Sequence, residues 1–285
     1  MAQLREIRRR IRSIRKTQQV TRAMKMVAAA RLRRAQEAIV LARPYAFKIR
    51  QMIEHILTYP DIPEHPLIRA SANPAVHLLV ISGDRGLCGN YNSQVFREVE
   101  RIAGKAGRNL ELTIVGRKGA DYFGKRGYAI REAIRDRDTS TPGELARRLF
   151  LSLSERFLSE GVGRVAVTYT EFKSALSQKV VTEWLLPLAF DPVDTPIHCL
   201  DYIFDPDPGV ILDKVLPRYL QSQIFRCLLE SRTSEFGARM TAMDSATRNS
   251  DDIISRLTLQ YNQARQAAIT KELIEVVSGA EALKG

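Results

Sequence analysis

Apolar and small residues recur every three or four positions from Leu4 to Ala42, through Ile7, Ile11, Ile14, Thr21, Ala28, Leu32, Ala35 and Ile39. Gln18 and Lys25 are polar interruptions of that seam. A stripe two positions wide per heptad belongs to a helix that pairs with one other helix, not to one lying on a globular core. No glycine precedes Gly83, and Pro44 is the only proline before Pro60, so the pattern predicts one helix over about the first 57 residues. The same alternation returns near the other end: Leu229, Thr233, Phe236, Met240, Met243, Thr247, Ser250, Ile254, Leu257, Tyr261, Ala264 and Ala268, with no proline after Pro217. Gly237 is the soft spot there, since a helical glycine costs ~1 kcal/mol. At ~1.5 Å per residue the two helices would run ~80 and ~100 Å. A compact chain of this length is only about 50 Å across, so neither fits inside one. Pairing the two seams as an antiparallel intramolecular coiled coil buries both; a helical hairpin that serves only to dimerise is the alternative.

Between Pro60 and Pro208 the period changes. Residues 76–82 (VHLLVIS) and 110–117 (LELTIVGR) read as apolar strands, separated by an amphipathic helix over 93–107. That βαβ unit implies parallel strands with a right-handed crossover. A helix follows over 141–161, capped by Thr141 with Pro142 in its first turn. Residues 162–172 form a further strand, and 178–188 a more alternating one, as an edge strand would be. The predicted class is therefore α/β: a long antiparallel coiled coil of N- and C-terminal helices plus an inserted sheet domain with a βαβ core. The corresponding divisions are 1–58, 59–208 and 209–285.

Charge adds a location to this outline. Residues 1–34 hold twelve Lys and Arg against the single acid Glu6, while the remaining residues are close to neutral, out of a net +12. Such a helix suits nucleic acid, an acidic membrane surface or an acidic protein socket. Residues 1–44 contain no aromatic side chain, which removes the stacking platforms of single-strand readers. No apolar run is long enough to span a membrane, and no secretory leader is read at the charged N-terminus. Cys88, Cys199 and Cys227 are far apart, and the four histidines are scattered, so neither a disulfide framework nor a metal site is expected.

Two stretches carry the grammar of phosphate binding. ISGDRGLCGNYNS, residues 81–93, runs from a strand through three glycines into a helix, but it has no lysine. GADYFGKR, residues 119–126, matches the Walker pattern until Arg126 stands where a magnesium-binding hydroxyl is needed. Its Tyr122 and Phe123 read as core residues of a short amphipathic helix. Cys88 could be a nucleophile only with a base beside it, and no histidine lies near it in the sequence. The residues themselves thus give no catalyst, and packing explains the glycines and the cysteine.

Four blocks resemble the gamma subunit of F-type ATP synthases: residues 7–36, residues 82–92 (SGDRGLCGNYN), residues 200–225, and most of residues 234–283. The similarity runs from end to end. It implies a rotor shaft whose terminal helices stand inside a ring of three alpha and three beta subunits. The shaft would transmit torque between that ring and the ion-driven c-ring, with the sheet domain lying near the c-ring and the epsilon subunit. One copy per complex is implied, peripheral on the cytoplasmic face of a bacterial membrane. Nucleotide and magnesium would be bound by the partners, leaving this chain without a cofactor or catalytic residue. Residue by residue, ARQAAIT (264–270) matches a segment that contacts a beta subunit, giving Arg265, Gln266 and Thr270. Met24, with Arg22 and Lys25, matches a position near that contact zone. DYIFDPDP (201–208) matches the foot that meets epsilon and the c-ring, giving Tyr202, Phe204 and Asp205. The two-cysteine redox insert of chloroplast relatives is missing, since residues 189–215 hold only Cys199. A free, basic, nucleic-acid-binding coiled coil is the alternative reading.

If neither glycine-rich stretch is catalytic, Cys88→Ala and Lys125→Met should leave the ATPase rate of the assembled complex unchanged. Loss of activity in either variant would restore an enzymatic reading.

Overall fold

The computed structural model describes residues 2–58, 64–136, 140–159, 161–190 and 207–282. Helix α1 spans Ala2–Ile56 and carries Pro44 inside it. Then follow β1 (Val76–Ile81), α2 (Tyr91–Ala106), β2 (Leu110–Val115), α3 (Arg117–Gly124), β3 (Ile130–Ile134), α4 (Pro142–Leu158), β4 (Arg164–Phe172), β5 (Gln178–Leu186) and α5 (Pro208–Ala282). The chain divides into two compact units, residues 1–28 with 240–285 and residues 29–239. Both terminal helices, the βαβ core, the capped helix and the edge strand anticipated above are present. Strand β3 was not anticipated.

The larger unit is built on a five-stranded sheet in the order β3-β2-β1-β4-β5. β1 is parallel to β2 and to β4, and only β5 is antiparallel. Alternation along β1 explains the layering. Leu78 and Val80 face one side with Leu112 and Ile114, where Val95, Phe96 and Val99 of α2 and Ala120 and Phe123 of α3 cover them. Leu79 and Ile81 face the other side with Val165 and Val167. That side is closed by Leu145, Leu149 and Leu153 of α4, by Ile49, Ile53 and Ile56 of α1, and by Leu212, Leu216, Leu220 and Ile224 of α5. The period-two pattern of a strand buried on both faces thus reads as continuous apolar sequence. Burying each Leu or Ile contributes about 1.5–3 kcal/mol.

Helix α4 starts where its sequence says it should. Thr141 accepts from the Glu144 amide, and the Glu144 side chain accepts from the Thr141 amide. This reciprocal cap satisfies two donors that a helix start otherwise leaves open. On the opposite face of the sheet, Phe123 is fully buried and packs edge-on against Phe96, while Tyr122 stacks on Phe96 at 4.4 Å between ring centres.

A histidine lies inside the sheet. His77 is fully buried, with Nδ1 2.7 Å from Glu111 Oε1 and Nε2 2.8 Å from Thr113 Oγ1. Arg156 of α4 in turn donates to both oxygens of Glu111. The network ties β1, β2 and α4 together at their polar ends. Burial holds the His77 imidazole below its ordinary 6.5, opposed by Glu111 and helped by Arg131 and Arg156. Arg156 and His77 hold Glu111 below its ordinary 4.5 against the penalty of burial. Both groups therefore take up protons more readily when the chain is unfolded. Stability from His77 is present above pH ~6.5 and is lost as pH falls below it; that from Glu111 is lost further down, below ~4.5. The denaturant midpoint should fall between pH 7 and pH 5 in the parent, and fall less in His77→Gln, which keeps a hydrogen-bonding side chain but does not titrate. Parallel pH curves for the two proteins would reject this role for His77.

Candidate functional site

The crevice at the C-terminal ends of β1 and β4 is where an open α/β sheet of this order binds ligands, because the connections leave β1 on opposite faces there. The turn after β1 has the glycines such a site needs. Leu87 and Gly89 adopt left-handed backbone (φ 61° and 59°), and Leu87 is one of two non-glycine residues described in that region. Several polar groups around this turn are already used. The Gly83 amide donates to Asn92 Oδ1 at 2.9 Å. The Arg117 amide, at the start of α3, donates to the carboxylate of Asp84 at 2.9 Å, and the Asp136 amide reaches the same oxygen at 3.2 Å. The Gly119 amide donates to Ser82 Oγ at 3.1 Å. A carboxylate thus sits at the helix N-terminus, where an anionic ligand would otherwise be favoured.

The Walker-like stretch fails on geometry, because it does not form a loop leading into a helix. Gly119 lies inside α3, and Lys125 follows the C-terminal end of that helix. Arg126 stacks on Tyr122, its guanidinium carbon 3.6 Å from the ring centre. Cys88 is buried, donating to the Arg85 carbonyl at 3.8 Å and accepting from Asn92 Nδ2 at 3.4 Å. It packs with Tyr91 and Ala238. No cluster of His, Cys, Asp and Glu able to hold a metal occurs among the described residues.

What fills the crevice is α5. Tyr91 at the start of α2 bonds Ser231 through its hydroxyl, 2.6 Å to Oγ. Ser234 Oγ donates to the Thr170 carbonyl of β4 at 3.0 Å. Glu235 is 3% exposed, lies against Gly83, and pairs with Arg239 at 2.5 Å. Arg239 also reaches the Gly86 carbonyl at 3.5 Å. Sequence reasoning missed this occupation. Its signal is the polar run Glu230–Glu235, which no solvated helix face would keep buried, yet five of the six are buried here.

The proposed contact residues lie in the smaller unit. Arg22, Arg265, Gln266 and Thr270 are exposed, and Met24 is half-buried. Lys25 is turned inward to Asp244 at 2.5 Å, with 43% of its side chain still exposed. These residues occupy two levels rather than one zone: Arg265 lies roughly 21 residues beyond Asp244 on α5, about 31 Å. Past Thr270 the helix keeps an apolar and exposed surface at Leu273, Ile274, Val276 and Val277. Tyr202, Phe204 and Asp205 lie outside the described residues.

A family model for ATP synthase matches residues 3–283. The chain belongs to the ATP synthase family, among its gamma chains. An ATP synthase gamma chain of Anaeromyxobacter sp. (strain Fw109-5) is 44% identical over the whole of both chains. That of Chlorobium phaeobacteroides (strain BS1) is 43% identical, again over the whole of both. Among solved structures, a chain of the Euglena gracilis mitochondrial ATP synthase (OSCP/F1/c-ring, rotational state 3) has the same fold, with TM-score 0.73 at 18% identity over 99% of this chain and 95% of that one. A chain of the Tetrahymena thermophila mitochondrial ATP synthase central stalk and c-ring gives 0.62 at 24% identity, covering 80% and 99%. The nucleic-acid alternative finds no support among these relatives of the gamma-chain family.

Two glycines should respond oppositely to alanine. Gly116 has φ 104°, and a Cβ there would collide with the Ser82 carbonyl oxygen, so Gly116→Ala should destabilise by roughly 2–4 kcal/mol. A Cβ on Gly237 meets Gln178 and Ala175 at 3.4 and 3.5 Å, ordinary contacts, so Gly237→Ala should stabilise by about 0.5–1 kcal/mol. Denaturant titration of both variants checks the pair.

Proposed function

We propose that this chain is the non-catalytic central shaft of an F-type ATP synthase, carrying torque between an alpha–beta catalytic ring and a membrane c-ring. The end-to-end kinship with gamma chains carries this reading, and the filled crevice is consistent with it. Nucleotide and magnesium then belong to the alpha and beta partners, three of each around one copy of this chain. Epsilon and the c-ring meet the foot, for which Tyr202, Phe204 and Asp205 are proposed. No described helix is long and apolar enough to cross a membrane, which suits peripheral attachment through the complex at the cytoplasmic face.

Arg265, Gln266 and Thr270 are proposed to contact a beta subunit at one level of the shaft, and Arg22 and Met24 at another. Lys25 joins the second group with the exposed part of its side chain while its amine holds Asp244. Near the end of α5 the exposed apolar side chains Ile269, Leu273, Ile274, Val276 and Val277, interspersed with Lys271, Glu272 and Glu275, suit contact with a partly apolar lining. The basic helix suits an acidic lining; exposed charges there give weak, salt-sensitive attraction.

Expressed alone, the chain should hydrolyse no ATP; expressed with its alpha and beta partners, it should yield an active complex, and failure to co-purify with them would end the shaft reading. Arg265→Ala with Gln266→Ala removes two polar contacts worth about 0.5–1.5 kcal/mol each, so ring binding should weaken by roughly 5- to 150-fold. Binding and turnover equal to the parent would show that this contact is dispensable.

A further inference from the structure

Three polar pairs cross between α1 and α5 in successive layers of the smaller unit. Gln18 bonds Asp251, Thr21 bonds Thr247, and Lys25 bonds Asp244. The positions step forward through 18, 21 and 25 as their partners step back through 251, 247 and 244, which is the spacing of consecutive seam layers in an antiparallel pair. The central layer is the best defined. Thr247 Oγ1 lies 2.7 Å from the Met243 carbonyl, Thr21 Oγ1 lies 3.0 Å from the Gln18 carbonyl, and the two hydroxyls face each other at 2.8 Å, where either can donate. Thr21 itself is only 9% exposed. Asp244 is held at both oxygens, by Lys25 at 2.5 Å and by Arg248 at 2.7 Å.

Stability alone does not explain this block. Exposed pairs such as Gln18 with Asp251 contribute little, and an apolar layer would bury more surface. What polar layers do well in a coiled coil is fix which residue faces which, because a slipped partner leaves its groups unsatisfied. Of the neighbouring seam residues, Met243 is large and buried, while Ala28 and Ser250 are small and buried. Small knobs interdigitate shallowly and resist sliding poorly. Twisting a two-stranded rope drives one strand past the other unless something holds them.

We infer that Gln18, Thr21, Lys25, Asp244, Thr247 and Asp251 act as a shear pin, holding α1 and α5 in one axial register so that the pair carries torque as a single body. This rests on the shaft reading above. The six are positioning residues: they touch no substrate and act through the stiffness of the helix pair.

The test uses the chain assembled with its alpha and beta partners, the ring fixed and a rod attached to the sheet domain. One variant combines Asp244→Ala, Thr247→Val and Asp251→Ala. A second places Thr21→Cys and Thr247→Cys in an Asp244→Ala, Asp251→Ala background, with Cys199→Ser. The first should show a wider angular distribution while waiting for ATP, a loss of torsional stiffness, while unloaded hydrolysis stays at the parent rate. Melting of the isolated chain should shift by less than roughly 4 °C. The second should be soft when reduced and regain parent stiffness when oxidised, and it decides the matter if the first does not assemble. Parent stiffness in the first variant and in both redox forms of the second would overturn the pin, as would a much larger fall in melting temperature. A parent complex that never rotates would instead overturn the shaft reading, and the pin with it.

Discussion

The larger unit depends on one packing decision: residues 231–239 of α5 lie in the crevice between β1 and β4. A helix placed there must bury its whole circumference, and Ser231, Thr233, Ser234, Glu235, Phe236 and Ala238 are all buried. Polar side chains are tolerable in that position only because the sheet and loop answer them: Tyr91 for Ser231, the Thr170 carbonyl for Ser234, Arg239 for Glu235. With the helix there, Glu235 lies against Gly83 of the glycine-rich turn. The fold keeps the loop geometry of a binding protein and uses it to grip its own chain.

Charge placement follows a similar economy. Acids occupy the points where amides or cations converge: Asp84 at the start of α3, Glu111 between His77 and Arg156, Glu235 beneath Arg239. In the larger unit, Arg226 of α5 binds Glu183 of β5 and the Tyr169 hydroxyl of β4, joining helix to sheet edge through another ion pair. In the smaller unit the acids lie mostly on α5. Glu6 pairs with Arg10 on the outer surface, and Asp244 serves both Lys25 and Arg248. Most of the arginines of α1 therefore face outward, available to whatever surrounds them.

Much of this was legible in the sequence, because the signals were local. Thr141, Pro142 and Glu144 announce a helix start within four residues, and the seam from Leu4 to Ile39 needs only counting. β3 escaped notice because Arg131 and Glu132 break its apolar run, as befits an edge strand with exposed positions. The crevice filling was hidden because Tyr91 and Ser231 are 140 positions apart, so no window joins them. Gln18 and Lys25 were visible as breaks in the seam, yet their partners were not: a break shows that a polar group faces the paired helix, while its mate depends on register. The separation of Lys25 from Arg265 into two levels is likewise a matter of register, which a motif match does not carry.

The antiparallel pairing also sets an order of events at the ribosome. The partner of Thr21 is Thr247, so the first helix to emerge waits for the last. At about 5–20 residues per second, that wait is on the order of 10–45 s. During it a strongly cationic segment is unpaired beside ribosomal RNA, whose phosphates attract it without sequence preference. The absence of aromatic residues from that segment removes the stacking that would turn a brief electrostatic visit into a lasting one. The helix that carries most of the chain's excess charge is thereby also one that leaves its birthplace easily.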